Sequence, residues 1–189
     1  MITKESKKYL LSLARQTLVD YFSVGQKIKI DNSKLSDKLL SKQAATFVTL
    51  LKQGDLRGCV GSLIAKKMMY EDVINNTLLA GFGDPRFEPL KEKEIKDVVI
   101  EISVLSEHKP YIYDNTDELL DKIKSGKHGV IVQKDFAQAT FLPQVWRDIP
   151  SKNDFMNALC RKAGLDEKAW HEPDIEIFYY EIENFSEID

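Results

Sequence analysis

The sequence predicts an α+β fold in which an antiparallel or mixed sheet is flanked by helices. Strand-like segments follow one another in hairpins instead of alternating strictly with helices, which is typical of α+β proteins. Three other segments place apolar residues at helical spacing. The 189 residues, 43% of them hydrophobic and 30% charged, are enough for one domain with a substantial core. A small sub-lobe within that domain is compatible with this length.

The first helix is predicted over residues 4–23, where apolar side chains recur at helical spacing from Leu10 to Phe22. Gly25 is its predicted end. The polar stretch 27–42 that follows has room for an ordered loop or a short helix.

The next segments predict a hairpin, a helix and a further strand. Residues 46–51 and 56–63 have strand character and are joined by a turn at 53–55. Apolar residues between Met69 and Ala80 mark the second helix. The β-branched run 98–105 predicts the next strand.

The last third of the chain repeats this mixture of elements. A short helix is predicted over 117–124, with Thr116 as its N-cap. Residues 130–133 and 137–142 predict a second hairpin. Another helix follows Ser151 and is closed by Gly164, and the alternating segment 175–182 predicts a half-buried strand.

Charge and targeting signals narrow the function classes. The net charge of −3 disfavours a general nucleic-acid binder, because phosphate neutralisation supplies most of the affinity of such proteins. Lysine clusters in 4–8 and 27–42 nevertheless leave RNA binding as an alternative. The N-terminus has no apolar signal-peptide core, and no apolar run reaches the ~20 residues of a membrane span. These observations predict a cytoplasmic protein that does not enter membranes.

Cysteine and histidine usage predicts no metal site and no cofactor. Cys59 and Cys160 are too far apart in sequence for a zinc-binding pair, and two lone thiols do not make a disulfide framework. The three histidines are also remote from one another.

The first candidate site is the segment 56–63. In a regular strand, Arg57 and Cys59 would share one face, with side chains starting roughly 6.6 Å apart. A guanidinium at that distance favours a reactive thiolate. Gly58 and Gly61 would leave room for a ligand or for a close backbone. The alternative is a bulge at the glycines with Cys59 as a small buried apolar residue.

The second candidate is the loop that follows the second helix, where Gly83, Pro85 and Pro89 favour a rigid, non-helical backbone. Arg86 is predicted to clamp a carboxylate or phosphate of a substrate, with Asp84 beside it. Equally, Asp84 could make a turn or cap, and Arg86 an ion pair that holds the loop down.

Three more polar residues complete the candidate site. Glu101 lies among β-branched residues and could be a general base, although pairing with Arg57 or Arg86 is the favoured interpretation. His128 opens a strand beside a glycine, an exposed position suited to acid–base chemistry. A structural hydrogen-bonded histidine is the alternative. Gln144 is predicted to donate to a carbonyl or base edge of a ligand.

Six ordered motifs resemble those of the AMMECR-type domain family, which includes the prokaryotic AmmeMemoRadiSam system protein A type. The resemblance covers about Leu10 to Glu181. Its motifs read LRGCVG, DPRFEPL, IEISVLS, GKHGVIV and LPQV, followed by the helix-forming stretch 155–170. It implies an α+β fold with a larger and a smaller lobe. It also implies association with a Memo-type protein and a radical SAM protein, but no established reaction.

Two functions follow as hypotheses, and a third stays open. The favoured one is a non-catalytic binding or accessory subunit of a modification system. The second is a cysteine-dependent enzyme with Cys59 as nucleophile, His128 as proton partner and two arginines for an anionic substrate. RNA binding is the third. The sequence does not decide whether the protein is an enzyme.

Overall fold

The computed structural model describes residues 2–23 and 40–189 and confirms the α+β class. The chain forms two compact units, a larger one of Met1–Leu105 with Glu183–Asp189 and a smaller one of Ser106–Ile182. Each unit contains a four-stranded sheet. The predictions for Gly25 and for most of the stretch 27–42 lie outside the described residues.

The described residues of the larger unit form two α-helices and four strands, in the sheet order β2-β1-β3-β8. Its elements are α1 (Lys4–Phe22), β1 (Thr46–Lys52), β2 (Asp55–Gly61), α2 (Met69–Phe82), β3 (Val98–Leu105) and β8 (Ile182–Ser186). The first five agree with the predicted segments to within a few residues at each end.

Both helices pack against the sheet, and together they bury the apolar side of every strand that they touch. Leu18 of α1, Val73 of α2, and Val48 and Ile100 of the sheet are completely buried in this core. Burial of such side chains stabilises the unit by roughly 1.5–3 kcal/mol each. The Thr3 hydroxyl caps α1 by accepting a hydrogen bond from the Ser6 amide at 3.1 Å.

The hairpin of β1 and β2 contains a bulge at Arg57. Leu51 pairs with Leu56, but Leu50 pairs with Gly58, so Arg57 has no partner on β1. The predicted regular alternation is therefore wrong at this residue. The turn before β2 uses Gly54 at φ +88°, a left-handed conformation that glycine adopts without steric cost.

The smaller unit has the sheet order β4-β7-β5-β6, with two helices. Its elements are β4 (Lys109–Pro110), α3 (Thr116–Lys122), β5 (Gly129–Lys134), β6 (Ala137–Phe141), α4 (Lys152–Lys162) and β7 (Glu176–Tyr180). Its core includes a stacked pair, Trp146 and Phe155, with ring centroids 3.6 Å apart.

Two predicted boundaries are wrong for local reasons. Asn115, not Thr116, caps α3, because its side chain accepts the Glu118 amide at 3.0 Å. The predicted strand 175–182 is divided at Glu181 into β7 and β8, which join different sheets. The short strand β4 was not predicted. No helix in the described ranges combines the length and apolar character that crossing a membrane requires.

Candidate functional site

Cys59 lies in a row of three polar side chains across the sheet of the larger unit. Thr49 of β1 is paired directly with Cys59 on one side and with Glu101 on the other. Directly paired residues point to the same face of a sheet, so all three lie on the face turned away from α1 and α2. The Thr49 hydroxyl donates a hydrogen bond to Cys59 Sγ at 3.2 Å. The thiol is partly exposed.

The outer edge of Cys59 is occupied by side chains of the 84–86 loop. β2 is an edge strand, and the hydrogen bonds of Cys59 show that its amide and carbonyl point away from β1. The amide donates to Asp84 Oδ2 at 2.9 Å, and the carbonyl accepts from Arg86 Nη2 at 3.1 Å. One carboxylate and one guanidinium therefore satisfy the backbone groups that a neighbouring strand would otherwise bind.

Asp84 and Arg86 also form a two-point ion pair with each other. Arg86 Nε donates to Asp84 Oδ1 at 2.9 Å and Nη2 donates to Oδ2 at 2.7 Å. The Asp84 side chain is only 3% exposed, whereas that of Arg86 is 55% exposed. The Arg86 hydrogen bonds, supported by the Cys59 amide, hold the pKa of Asp84 well below its usual range. Asp84 is therefore a buried anchor that is charged at neutral pH.

Arg57 is held by an ion pair on the adjoining part of the strand. Its guanidinium contacts Glu94 at 3.2 Å, and Lys52 contacts the same carboxylate at 2.8 Å. Hydrogen bonds from Arg57 first, then from Lys52 and the Lys91 amide, lower the pKa of Glu94 to about 2. Both arginines predicted to bind a substrate anion thus already bind a carboxylate of the protein.

The two glycines of the segment are each crowded from a different side. A Cβ on Gly58 would lie 2.1 Å from the carbonyl oxygen of Ala80 in α2. A Cβ on Gly61 would lie 2.2 Å from the ring of Phe47. Gly58 therefore permits close approach of a helix backbone, and Gly61 provides the surface on which an aromatic ring rests. The sequence predicted that the glycines leave room either for a ligand or for a close backbone, and a close backbone is observed at Gly58.

Glu101 has a different environment from the predicted one. Its expected arginine partners bind Asp84 and Glu94, and no ion pair of Glu101 occurs within residues 2–23 and 40–189. The side chain is partly buried on the same face as the thiol. The favoured pairing of Glu101 with Arg57 or Arg86 is therefore wrong.

His128 and Gln144 belong to the smaller unit. His128 is 4% exposed, so the predicted exposed position is wrong. Its Nδ1 lies 2.6 Å from the Tyr111 hydroxyl and accepts the Lys124 amide at 3.3 Å, and its ring stacks on Tyr179. Burial lowers its pKa. Gln144 is exposed at the start of a short 3-10 helix. A pairing of His128 with Cys59 stays a prediction.

The sequence reasoning missed a buried polar cluster at the other end of the hairpin. Asp72 of α2 accepts hydrogen bonds from the Thr46 amide at 2.8 Å, the Ser62 hydroxyl at 2.7 Å and the Asn76 side chain at 2.9 Å. Asp72 and Asn76 are four residues apart, about one helical turn, and this spacing in the sequence could have indicated that their side chains interact. All of its partners are internal, so the cluster fixes α2 to the ends of β1 and β2. No group of three or more potential metal ligands occurs in the described parts of the chain.

The fold and this edge-strand site define a two-unit α+β protein whose larger sheet displays a cysteine braced by an aspartate–arginine pair. The chain belongs to the AMMECR1 family, whose model matches residues 11–185. It is 36% identical over 194 residues to the protein MK0488 of Methanopyrus kandleri, covering 98% of this chain and 90% of that protein. A Methanosarcina mazei protein is 31% identical over 189 residues, covering 99% and 94%.

A solved structure supports the same fold. The crystal structure of the uncharacterized protein PH0010 from Pyrococcus horikoshii matches with a TM-score of 0.79 and 30% identity. The match covers 95% of this chain and 90% of that one. The family and fold are thereby established.

Proposed function

We propose that the protein is a non-catalytic binding subunit of a modification system, acting with a Memo-type protein and a radical SAM protein in the cytoplasm. Its binding surface is the sheet face that carries Thr49, Cys59 and Glu101. The strongest support is that both arginines predicted to bind a substrate anion beside the thiol already form ion pairs within the protein. Arg57 is paired with Glu94, and Arg86 is paired with Asp84.

A nucleophilic cysteine needs a base or an unpaired cation at its sulfur. The sulfur of Cys59 instead receives the neutral hydroxyl of Thr49, and the third residue of the row is the carboxylate Glu101. All three histidines of the chain belong to the smaller unit, so the larger unit by itself supplies no imidazole base to the thiol. This environment suits recognition better than proton transfer.

The Glu101 carboxylate, which has no ion pair among the described residues, gives the surface its selectivity. Glu101 offers two acceptor oxygens beside a weakly polar thiol and a hydroxyl, and the rigid loop at Asp84 holds the edge strand in place. A partner segment with a basic or amide-rich strand would complement this row. Electrostatic complementarity of that kind contributes to specificity and association rate.

Co-purification tests the proposal. The tagged protein is expressed with the Memo-type and radical SAM proteins of the same cell, and the retained partner is quantified. We expect Glu101→Lys to reduce retention at least tenfold, and Asp97→Lys, the same charge reversal at an exposed site of the same unit, to leave it unchanged. We expect Cys59→Ala to keep retention and cellular function.

If the protein is instead a cysteine-dependent enzyme, Cys59→Ala is expected to abolish its function. Loss of function in Cys59→Ala with partner retention intact would replace the binding proposal with a cysteine-dependent enzyme. Alkylation of Cys59 by iodoacetamide at neutral pH gives a second measurement. Cys160 is fully buried, so Cys59 dominates the reaction of the folded protein. A rate above that of an unstructured thiol would also favour the enzyme.

A further inference from the structure

A cavity of about 700 Å³ lies entirely within the smaller unit. Three stretches of chain line it. They are residues 110–116, which begin at the end of β4, residues 170–173, which begin in the 3-10 helix Ala169–His171, and residues 175–178, which include most of β7. This volume is in the range of roughly 300–1,000 Å³ typical of small-molecule sites. The cavity shares no residue with the Cys59 face, so what it binds is independent of the proposed function.

The acidic residues of the cavity wall are Asp114, Glu172 and Glu176. Within the described residues no lysine or arginine lines it, and the imidazole in the wall is that of His171. Lys134 reaches Glu172 and also contacts Asp174 at 3.0 Å, so Glu172 is already neutralised by the protein. Asp114 and Glu176 make no ion pair with any residue that the structure describes. Two exposed carboxylates without an ion-pair partner among the described residues therefore line the cavity.

Aromatic rings provide the rest of the lining. Tyr113 and Phe178 are partly buried in the wall, and Trp170 is only 1% exposed beneath them. The indole Nε1–H of Trp170 already donates to Asn157 Oδ1 at 2.8 Å, so that ring has no polar atom left for a ligand. Like any tyrosine, Tyr113 is uncharged at neutral pH, and burial raises its pKa further. Faces of such rings attract cations.

We propose that this cavity binds a guanidinium or primary ammonium group, with Asp114 and Glu176 as the counter-charges and Tyr113 and Phe178 as the aromatic walls. An anion would be repelled by the two carboxylates. A neutral ligand of the same shape would gain no ion pair from them, because the exposed Asp114 and Glu176 stay hydrated without it. The cation can be supplied by a free metabolite of amino-acid size or by an arginine or lysine side chain of a peptide, and the same groups recognise both.

Calorimetric titration of the full chain tests the proposal with matched probes. Arginine and agmatine carry the guanidinium, citrulline is the neutral analogue of arginine, and Gly-Arg-Gly carries the same group within a peptide. We expect at least one guanidinium probe to bind, and its neutral counterpart to bind at least tenfold more weakly. Binding should weaken as salt rises, because the charges lie near solvent.

Variants locate the binding. We expect the double variant Asp114→Asn, Glu176→Gln to weaken binding at least tenfold, and Glu107→Gln, an exposed glutamate of the same unit outside the cavity, to leave it unchanged. Circular dichroism confirms that each variant is folded. Binding by the peptide alone assigns the cation to a polypeptide, and binding by arginine or agmatine assigns it to a metabolite. Equal binding of citrulline, no effect of the double variant, or no binding of any probe would overturn the proposal.

Discussion

The amide of Cys59 donates a hydrogen bond to Asp84 Oδ2 at 2.9 Å, across the outer edge of β2. The same residue's carbonyl accepts a hydrogen bond from Arg86, so a single loop binds both backbone groups of the cysteine. An exposed edge strand is a template for unwanted pairing, and this loop removes the template at one residue. The Asp84–Arg86 pair is thus first a structural device, and its stability is open to direct measurement.

Replacing Asp84 is expected to destabilise the larger unit. In Asp84→Asn the amide nitrogen would face the Arg86 guanidinium, two donors in contact, inside a site that is almost fully buried. Loss of one buried hydrogen-bond partner costs about 1–3 kcal/mol. Urea unfolding should show a loss of this size, whereas Asp97→Asn, at an exposed position, should change the unfolding free energy by less than about 0.5 kcal/mol. Equal effects of the two variants would contradict the anchoring role.

Acid should destabilise the protein over a pH range that is set by the ion-paired carboxylates of Glu94 and Asp84. The pKa of Glu94 is lowered from 4.5 to about 2 by Arg57 and Lys52, and that of Asp84 is lowered further. A carboxyl with a lowered pKa in the folded state stabilises the protein above its unfolded pKa, and the contribution is lost as pH falls through the folded value. We expect the unfolding free energy to fall between pH 4.5 and 2.

Glu94→Gln provides the control for that window. The variant has no carboxyl to protonate at this position, so part of the pH dependence should disappear while the remaining part, from Asp84 and other acids, persists. Unfolding curves collected at half-unit pH intervals check this. An unchanged slope in Glu94→Gln would show that the ion pair with Arg57 contributes nothing to acid stability.

Gly58 is expected to tolerate no side chain. A Cβ there would come within 2.1 Å of the Ala80 carbonyl oxygen, a backbone atom that moves only if α2 shifts from the sheet. Overpacking of this kind costs about 3 kcal/mol. A Cβ on Gly83 would meet the flexible Leu79 side chain at 3.2 Å, so Gly83→Ala should cost less than about 1 kcal/mol. Thermal unfolding of Gly58→Ala and Gly83→Ala compares the two losses of stability. Equal losses would show that α2 moves away from the sheet at little cost.

The buried imidazole should titrate below its ordinary value. Burial is the main cause of the lowered pKa of His128, with Lys124 and Lys127 acting in the same direction and Glu181 against it. A base with a lowered folded pKa stabilises the protein above its unfolded value of about 6.5, and this contribution is lost as pH falls through the folded pKa. An NMR titration of the His128 ring should give a midpoint below 6.5. A midpoint at or above 6.5 would contradict its burial.

Tyr111→Phe tests the same environment by a different route. The hydroxyl that lies 2.6 Å from His128 Nδ1 is removed, while the ring that packs on Tyr179 is retained. A net loss of about 1 kcal/mol is expected for one hydrogen bond of this kind. Chemical unfolding measures it, and an unchanged stability would show that the Lys124 amide alone satisfies the imidazole.

The positions of most helices and strands follow from the sequence. Apolar spacing places α1, α2 and α4, and the β-branched run gives β3 with the bounds that the structure has. The same patterns identify the segment around Cys59 and the loop around Arg86 as unusual. Local periodicity suffices for this because each element buries one continuous stripe or face.

The partners of the site residues follow only from tertiary structure. The bulge at Arg57 shifts the hairpin register by one residue, and this shift puts Thr49 opposite Cys59 instead of opposite Gly58. The glycines of the segment allowed a bulge as an alternative, but the sequence did not specify its position or the resulting register. The choice of Glu94 by Arg57, 37 residues further along the chain, is equally non-local.

The sequence by itself therefore determined the α+β class, the order of most of its elements and the membership of Cys59, Asp84 and Arg86 in one distinctive set. Tertiary structure decided that Arg86 braces a strand edge, that Glu101 lacks an arginine partner and that His128 is buried among aromatic rings. Secondary structure is encoded by neighbours a few residues apart, whereas burial and ion pairing depend on contacts between segments that only the folded chain brings together.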